Sequence, residues 1–185
     1  KLLFLLKMVA SSFEECQHIS GIDSVNNKRL GPDMKGLMMN RPLRIVDILT
    51  FGEETHSEAE IVSVTVEGGI HRTTYGNTAP RVRKMANALK SLNVKLGDRV
   101  ATLAWNGYRH FELYYAISGI GAICHTINPR LSAEQMVYII NHAGDSVICV
   151  DLTFVPILEA LKSQLNSDII YIIMKITEKI NNSRY

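Results

Sequence analysis

Polar side chains that could do chemistry follow the predicted strands in the second half of the chain. Asn106 follows one strand, a polar run at residues 125–130 follows the next, and Asp151 and Lys175 follow the last two. In an open parallel sheet, ligands bind beyond the carboxyl ends of the strands. Asp151 and Lys175 there suggest a phosphoacceptor site. Such a site needs further carboxylates at the end of the first parallel strand, but Trp105 and Asn106 stand there. We therefore interpret Asp151 as a helix cap.

The histidines do not have the spacing of metal ligands. They are His18, His56, His71, His110, His125 and His142. Because histidine is intermediate in burial statistics, each is interpreted as a surface residue or a satisfied core residue. His125 alone lies near a strand end, beside Asn128 and Arg130. We interpret that stretch as a polar turn.

Motifs of nucleotide sites and of hydrolases are absent from the sequence. The one G-x-G, at residues 119–121, follows a predicted helix and precedes a strand, which reverses the order of a dinucleotide-binding loop. G-x-x-x-x-G-K-[ST], G-x-S-x-G and H-E-x-x-H do not occur. From the residues alone, we assign no catalytic residue, no cofactor-binding residue and no metal ligand.

The three cysteines are Cys16, Cys124 and Cys149, an odd number without a C-x-x-C pair. They specify neither a disulfide framework nor a cysteine zinc site. Cys124 and Cys149 lie in apolar runs, where a thiol behaves as a small core side chain. We predict reduced, buried thiols and a cytoplasmic protein.

The composition is that of a globular chain with one domain or two. The 185 residues are 46% hydrophobic and 21% charged, and the formal net charge is +2. So small and mixed a charge gives no electrostatic footprint for nucleic acid or for an anionic membrane. The apolar content excludes intrinsic disorder, and twelve glycines and five prolines exclude a fibrous chain. A packed core is therefore expected.

Hydrophobic periodicity predicts a helix, a hairpin and a second helix in the first half of the chain. The elements are a short amphipathic helix at 45–51, strands at 60–66 and 70–75 joined through a glycine turn, and a helix over 79–92. Because Pro80 belongs in a first helical turn, we predict Thr78 as the N-cap of the second helix. Its Arg81 and Arg83 are interpreted as a solvated face.

The second half alternates strands and helices. The predicted strands are 100–105, 122–127, 146–150 and 169–174, with helices after Asn106, after Ser132 and over 154–165. Asn106 is a candidate N-cap, Ser132 and Gln135 form a capping box, and Gly121 ends the first of these helices. Continuous apolar strands, each followed by a helix, are typical of a parallel sheet covered on both faces. The predicted fold is an open, mostly parallel α/β sheet with helices on both faces, preceded by a helix and a β-hairpin.

The ends of the chain are interpreted separately. Residues 1–33 show no sustained period and are expected to be a disordered extension or upstream read-through. Their apolar run at residues 2–6 leaves a signal peptide as an alternative, and it is too short to span a bilayer. The folded domain is expected over residues 34–174, and residues 175–185 form a polar tail.

Three stretches carry a family resemblance. They are MKGLMM at 34–39, HRTTY at 71–75 and, above all, GDRVATLAWNGYRHFELYYAISGIGAICHTINPRLSAEQMVYIINHA at 97–143. Together they resemble the amino-terminal part of medium- and long-chain fatty-acyl-CoA synthetases of the AMP-forming, adenylate-forming superfamily. The resemblance covers residues 34–174.

This resemblance implies a two-step ligase reaction for the full-length family. ATP and a fatty acid form an acyl-adenylate and diphosphate, and CoA then displaces AMP to give the thioester, with Mg²⁺ accompanying the nucleotide. The family's phosphate loop, adenine-binding motif, ribose aspartate and carboxy-terminal catalytic lysine are absent from this sequence. We therefore carry no catalytic or binding residue over to it, and expect the segment alone to bind no cofactor.

Two hypotheses follow. The first is a fragment of a fatty-acid–CoA ligase that is inactive alone, and the second is a standalone, non-catalytic α/β binding or interaction module. A parallel sheet cut from a larger one leaves a strand edge unpaired, so self-association through that edge is also expected.

Overall fold

The computed structural model describes residues 42–175. The predictions for residues 1–33 and for the tail beyond residue 175 lie outside this range. Within it, no helix is long and apolar enough to cross a bilayer. The elements are α1 (Ile45–Thr55), β1 (Glu60–Val64), β2 (Ile70–Thr74), α2 (Tyr75–Ser91), β3 (Arg99–Leu103), α3 (Tyr108–Gly119), β4 (Ile123–Thr126), α4 (Ala133–Ala143), β5 (Val147–Asp151), α5 (Val155–Leu161) and β6 (Ile170–Met174).

Four of the strands form one parallel sheet in the order β4-β3-β5-β6. The central strand β3 is paired on both sides: Ala101 lies opposite His125 of β4 and opposite Ile148 of β5. Parallel neighbours require crossover connections, and α3, α4 and α5 supply them. The predicted open parallel sheet is confirmed; β3, β4 and β6 are one or two residues shorter than the predicted strands, and β5 has the predicted length, shifted by one residue.

Each face of the sheet is covered by its own helices. Alternate residues of β3 point to opposite faces, so Val100 packs with α1, α2 and α3, whereas Ala101 packs with α4 and α5. The strands β3 and β5 contain almost only buried residues, because both of their faces are covered. The buried hydrophobic residues of the sheet strands are Val100, Val147, Cys149 and Met174 in the core on one face and Ala101, Leu103, Ile148 and Val150 in the core on the other.

The two sheet cysteines differ in burial. Cys149 is fully buried, as predicted, and burial raises the pKa of its thiol to about 12. Cys124 on the edge strand β4 is only half-buried, and burial raises its thiol pKa. Both thiols are thus held in the neutral form at physiological pH, where they act as packing groups.

The predicted hairpin is confirmed. β1 and β2 pair antiparallel with Val64 opposite Ile70. Gly68 and Gly69 have φ angles of 94° and 89°, which a residue with a Cβ adopts only with strain. This glycine pair therefore allows the tight reversal.

The predicted start of α2 is wrong. The helix begins at Tyr75, and Thr74 is the N-cap, its hydroxyl accepting the Asn77 N–H at 3.3 Å. Thr78 is instead a buried residue inside the helix, where its hydroxyl lies 3.4 Å from that of Thr73. Pro80 is therefore inside the helix, which loses one backbone hydrogen bond there and continues because its apolar face is packed.

The predicted N-cap of α3 is wrong, and the predicted capping box of α4 is confirmed. Asn106 does not cap α3, because the N-cap position falls on Gly107, which has no side chain to accept a hydrogen bond. The capping box of α4 is present: the Ser132 hydroxyl accepts the Gln135 N–H, and the Gln135 side chain accepts the Ser132 N–H. Gly121, predicted to end α3, has a φ of 77° and follows its last turn.

Candidate functional site

The carboxyl ends of β3 and β5 meet the amino terminus of α3 and the hairpin turn. Residues of all four elements surround a small cleft, among them Val64, Trp105, Arg109 and Asp151. This is the edge of the sheet at which open α/β folds bind their ligands.

Asp151 anchors the loop between β3 and α3. Its Oδ2 accepts the backbone N–H of Trp105 at 2.8 Å, across 46 residues of sequence, and the residue is only 3% exposed. Burial raises the pKa of this carboxyl, while the Trp105 N–H and the charge of Arg109 oppose the shift. Asp151 occupies the N-cap position of the short turn Leu152–Phe154, as interpreted, but its side chain makes no capping hydrogen bond there. The side chain instead joins two strand ends.

His110 lies beside Asp151, on the first turn of α3. Its Nε2 is 3.0 Å from the hydroxyl of Thr102, and its ring stacks on Tyr114 with a centroid distance of 4.6 Å. The buried Nδ1 has no hydrogen-bond partner among the described residues. Burial lowers the pKa of the imidazole, and the charge of Asp151 opposes that shift. The neutral ring is therefore the form that the folded chain favours.

The amino terminus of α3 also fastens the hairpin. The Tyr108 N–H donates to the hydroxyl of Ser63 at 3.2 Å, and the Tyr108 ring stacks on His71 at 3.8 Å. Arg109 forms a bidentate ion pair with Glu67, with both contacts at 2.9 Å. Bidentate pairs of this kind fix orientation as well as adding energy. The hairpin is thus held against the end of the sheet.

The Arg81 and Arg83 side chains are 53% and 40% exposed, as expected of a solvated face, and each also forms an ion pair with a neighbouring helix. Arg81 contacts Glu112 of α3 at 2.6 Å, and the Glu112 side chain is only 4% exposed. Arg83 contacts Glu53 of α1 through two bonds of 2.7 and 2.8 Å. A carboxylate as buried as Glu112 requires such a partner. The arginine face therefore holds α1, α2 and α3 together.

His125 has a structural partner, which corrects its interpretation as part of a polar turn. Its Nδ1 lies 2.8 Å from Oδ2 of Asp145, a carboxylate with no exposed surface. Burial raises the pKa of Asp145, and His125 and Arg99 oppose the shift. The turn itself follows: the Arg130 N–H donates to the side chain of Asn128 at 3.0 Å. This stretch shapes the edge of the sheet.

The other positions at the strand ends do not join the cleft. Asn106 and Lys175 are exposed, and neither lines the cleft beside Asp151. The structure therefore brings together Asp151 and the backbone at Trp105. Glu112 and Asp145 have structural roles that the sequence analysis did not identify, because their partners lie 31 and 20 residues away in the sequence.

The cleft does not fit a nucleotide. Its free volume is about 10 Å³, the space of one water molecule. The one carboxylate in it, Asp151, is already bonded to the backbone, and the described residues hold no group of three or more histidine, cysteine or acidic side chains able to bind a metal ion. We derive no step through ATP or Mg²⁺ from these residues. What the arrangement can do is fix the β3–α3 loop and the hairpin.

Comparison with known proteins gives a consistent result. Residues 52–183 match the family model described as AMP-binding enzyme. The chain is 49% identical over 132 residues to the 3-methylmercaptopropionyl-CoA ligase of Ruegeria lacuscaerulensis and 44% identical over 132 residues to the medium-chain-fatty-acid–CoA ligase of Ectopseudomonas oleovorans. Each match covers 71% of this chain and 24% of the relative. The chain thus spans about a quarter of the length of these relatives.

Solved structures show the same fold. A fatty acyl-CoA synthetase of Mycobacterium tuberculosis superposes with a TM-score of 0.60 at 23% identity, over 70% of this chain and 26% of that one. At this identity the likeness concerns the fold alone. It agrees with the four-stranded parallel sheet and the helices on both of its faces.

Proposed function

Because the chain belongs to the family of AMP-binding enzymes, we propose that it is the amino-terminal segment of an ATP-dependent fatty-acid–CoA ligase. The full enzyme would convert a fatty acid, ATP and CoA to acyl-CoA, AMP and diphosphate. The observation that carries the proposal is that the matched range contains the whole parallel sheet, together with 44% identity to a medium-chain ligase. ATP, Mg²⁺ and CoA are the ligands of the full-length family.

We further propose that this segment does not catalyse the reaction alone. Acyl transfer through an adenylate needs groups that stabilise charge on phosphate oxygens, and those groups must converge on the substrate. The side chains at the carboxyl end of the sheet are committed elsewhere: Arg109 binds Glu67, and Asp151 binds the Trp105 backbone. Their arrangement supports a scaffolding role, in which they hold the β3–α3 loop for the rest of the enzyme.

A diphosphate-release assay tests both parts of this proposal. The purified chain is incubated with ATP, Mg²⁺, CoA and fatty acids of several lengths, with the Ectopseudomonas ligase as positive control. We expect no release above the blank at any chain length. Turnover that follows the chain through purification would overturn the proposal of inactivity.

The reading frame of the gene tests the fragment against the standalone module. A continuation after residue 185 that encodes a phosphate loop would support the ligase fragment. A stop codon there, with a stable monomeric product, would favour the non-catalytic module. We also expect self-association of the isolated chain, since β4 and β6 each pair on one side only within the described sheet. The cytoplasmic location expected from the unpaired cysteines remains part of the proposal.

A further inference from the structure

The hairpin presents three of its apolar side chains away from the part of the chain that it packs on. Val62, Val64 and Ile70 are 49%, 74% and 66% exposed. They lie on one face, because Val62 and Val64 are two residues apart on β1 and Ile70 is opposite Val64. We call these three residues the hairpin outer face. An antiparallel sheet with one face in water normally shows the reverse pattern, polar residues outward and apolar residues inward.

The inner face of the hairpin is mostly polar, with Ile61 as its apolar member. Ser63, His71 and Thr73 point inward and are half-buried. Ser63 accepts the backbone N–H of Tyr108, and His71 stacks on the Tyr108 ring. A slip of one residue in the strand pairing would bring the valines inward. These inward contacts oppose such a slip, so the apolar outer face is a feature of the fold.

The outer face continues towards the carboxyl end of the sheet. Val64 and Val66 line the same cleft as Trp105. Trp105 is the one tryptophan in the sequence, and it is 46% exposed. Contiguous apolar surface of this kind marks an interaction site in a water-soluble protein. The bidentate pair of Arg109 with Glu67 keeps the hairpin oriented beside it.

We propose that the hairpin outer face is the surface on which the remaining three quarters of an AMP-binding fold dock. This inference rests on the proposed function. The chain covers 24% of relatives to which it is 44–49% identical, so in those enzymes a much longer polypeptide accompanies this segment. Covalent attachment to this segment gives the remainder of the enzyme a high effective concentration at the outer face, which favours the remainder over a second copy of the chain. Beside Val64 and Ile70 the contact surface of the remainder must be apolar, whereas beside Val62 it also meets the exposed ion pair of Arg72 with Glu60.

The first experiment reconstitutes the fold from two polypeptides. The full 185-residue chain is co-expressed with the Ectopseudomonas ligase from which the matching segment has been removed, and one partner carries an affinity tag. We expect co-purification of the two partners in equal amounts. The double variant Val64→Asp with Ile70→Asp should reduce the recovered partner by roughly tenfold or more, because docking would bury unpaired carboxylates.

Two further variants separate docking from hairpin folding. Val64→Thr with Ile70→Thr keeps β-branched side chains and exchanges a methyl group of Val64 and the ethyl group of Ile70 for hydroxyls, so it should retain the hairpin and weaken co-purification less than the aspartates do. Leu96→Asp is the matched control: Leu96 is 80% exposed and precedes β3, whereas Trp105 follows it, so the two lie at opposite ends of the sheet. The control should co-purify like the unmodified chain.

A covalent chimera keeps the test decisive if the truncated ligase does not fold alone. Residues 52–183 of this chain replace the matching segment of the Ectopseudomonas ligase, and the unfolding midpoint and acyl-CoA formation are measured. The aspartate pair should lower the midpoint by several degrees relative to Leu96→Asp. An active chimera in which the aspartate pair behaves like Leu96→Asp would overturn the docking inference and leave the proposed function standing. A folded but inactive unmodified chimera would contradict the proposed function instead.

An experiment on the free chain tests whether a second copy of the chain binds the outer face instead. Sedimentation velocity is measured on the unmodified chain and on the aspartate pair. If the chain forms a dimer that the aspartate pair abolishes and Leu96→Asp does not, the outer face binds a second copy, and the inference is overturned. We expect the aspartate pair to leave the oligomeric state of the free chain unchanged.

Discussion

Replacing Asp151 separates two effects of its buried carboxylate on stability. The carboxylate accepts the Trp105 N–H at 2.8 Å, which stabilises the fold. Its burial also raises the pKa, which means that the ionised form is disfavoured in the folded chain. Asp151→Ala removes the acceptor, whereas Asp151→Asn keeps an acceptor oxygen without the charge. The two variants should therefore differ in sign or in size.

The magnitudes follow from these contacts. A partly buried N–H without its acceptor costs about 1–3 kcal/mol, and for a domain of this size that corresponds to an unfolding midpoint lower by about 3–9 °C. Asp151→Ala should show that loss. Asp151→Asn should be at least as stable as the unmodified chain at neutral pH, because it avoids the penalty of a buried charge.

The stability of the chain should depend on pH in a direction set by the raised pKa of Asp151. A carboxyl whose folded pKa is raised contributes stability that is complete below its unfolded pKa of about 3.8 and is lost as the pH rises through its folded pKa. The difference between Asp151→Asn and the unmodified chain should therefore shrink as the pH falls from 7 towards 4.

The assay is urea unfolding followed by circular dichroism, with the fluorescence of Trp105 as a local probe of the same loop. Measurements at pH 7 and near pH 4 give the two free energies that are compared. If Asp151→Ala is as stable as the unmodified chain within about 0.5 kcal/mol, or if Asp151→Asn loses as much as Asp151→Ala at pH 7, the role assigned to this carboxylate is refuted.

Other contacts allow shorter tests by the same unfolding measurement. Glu112→Ala should lower the free energy of unfolding by about 1–3 kcal/mol, because Glu112 is buried against Arg81. Glu60→Ala breaks an exposed pair and should lower it by less than about 1 kcal/mol. Equal losses in the two variants would contradict the assigned difference in burial. Ser132→Ala removes the capping box of α4 and should cost about 1 kcal/mol, with Ser132→Asp restoring most of it. The pKa of His110 is lowered in the folded chain, so its contribution to stability is complete above about pH 6.5 and is lost as the pH falls through the pKa of the folded chain. The unmodified chain should therefore lose more stability than His110→Asn between pH 7.5 and 5. Parallel curves of stability against pH for the two proteins would refute this.

Local signals in the sequence were sufficient for most of the fold. The capping box of Ser132 and Gln135 and the glycine turn of the hairpin depend only on residues a few positions apart, and both are confirmed. The apolar runs of β3 and β5 predict a sheet covered on both faces, because each run is long enough to be a strand and is followed by a helix. The cap of α2 was misplaced by four residues, since packing tolerates Pro80 inside the helix.

The polar pairs could not be predicted, because tertiary contact selects each partner. Asp151 reaches Trp105 across 46 residues, and His125 reaches Asp145 across 20. Nothing in the residue types near either aspartate distinguishes a helix cap from a bond between strands. The expectation that this chain holds no catalytic group stays a prediction, which the diphosphate-release assay tests.

The most direct test of the central claim is acyl-CoA formation by a ligase that contains this segment. The chimera of residues 52–183 with the remainder of the Ectopseudomonas enzyme is supplied with ATP, Mg²⁺, CoA and a medium-chain fatty acid, beside the 185-residue chain alone. We expect thioester from the chimera and none from the chain. Thioester made by the chain alone, or a correctly folded chimera that makes none, would contradict the claim that this polypeptide is the scaffold segment of an acid-activating ligase.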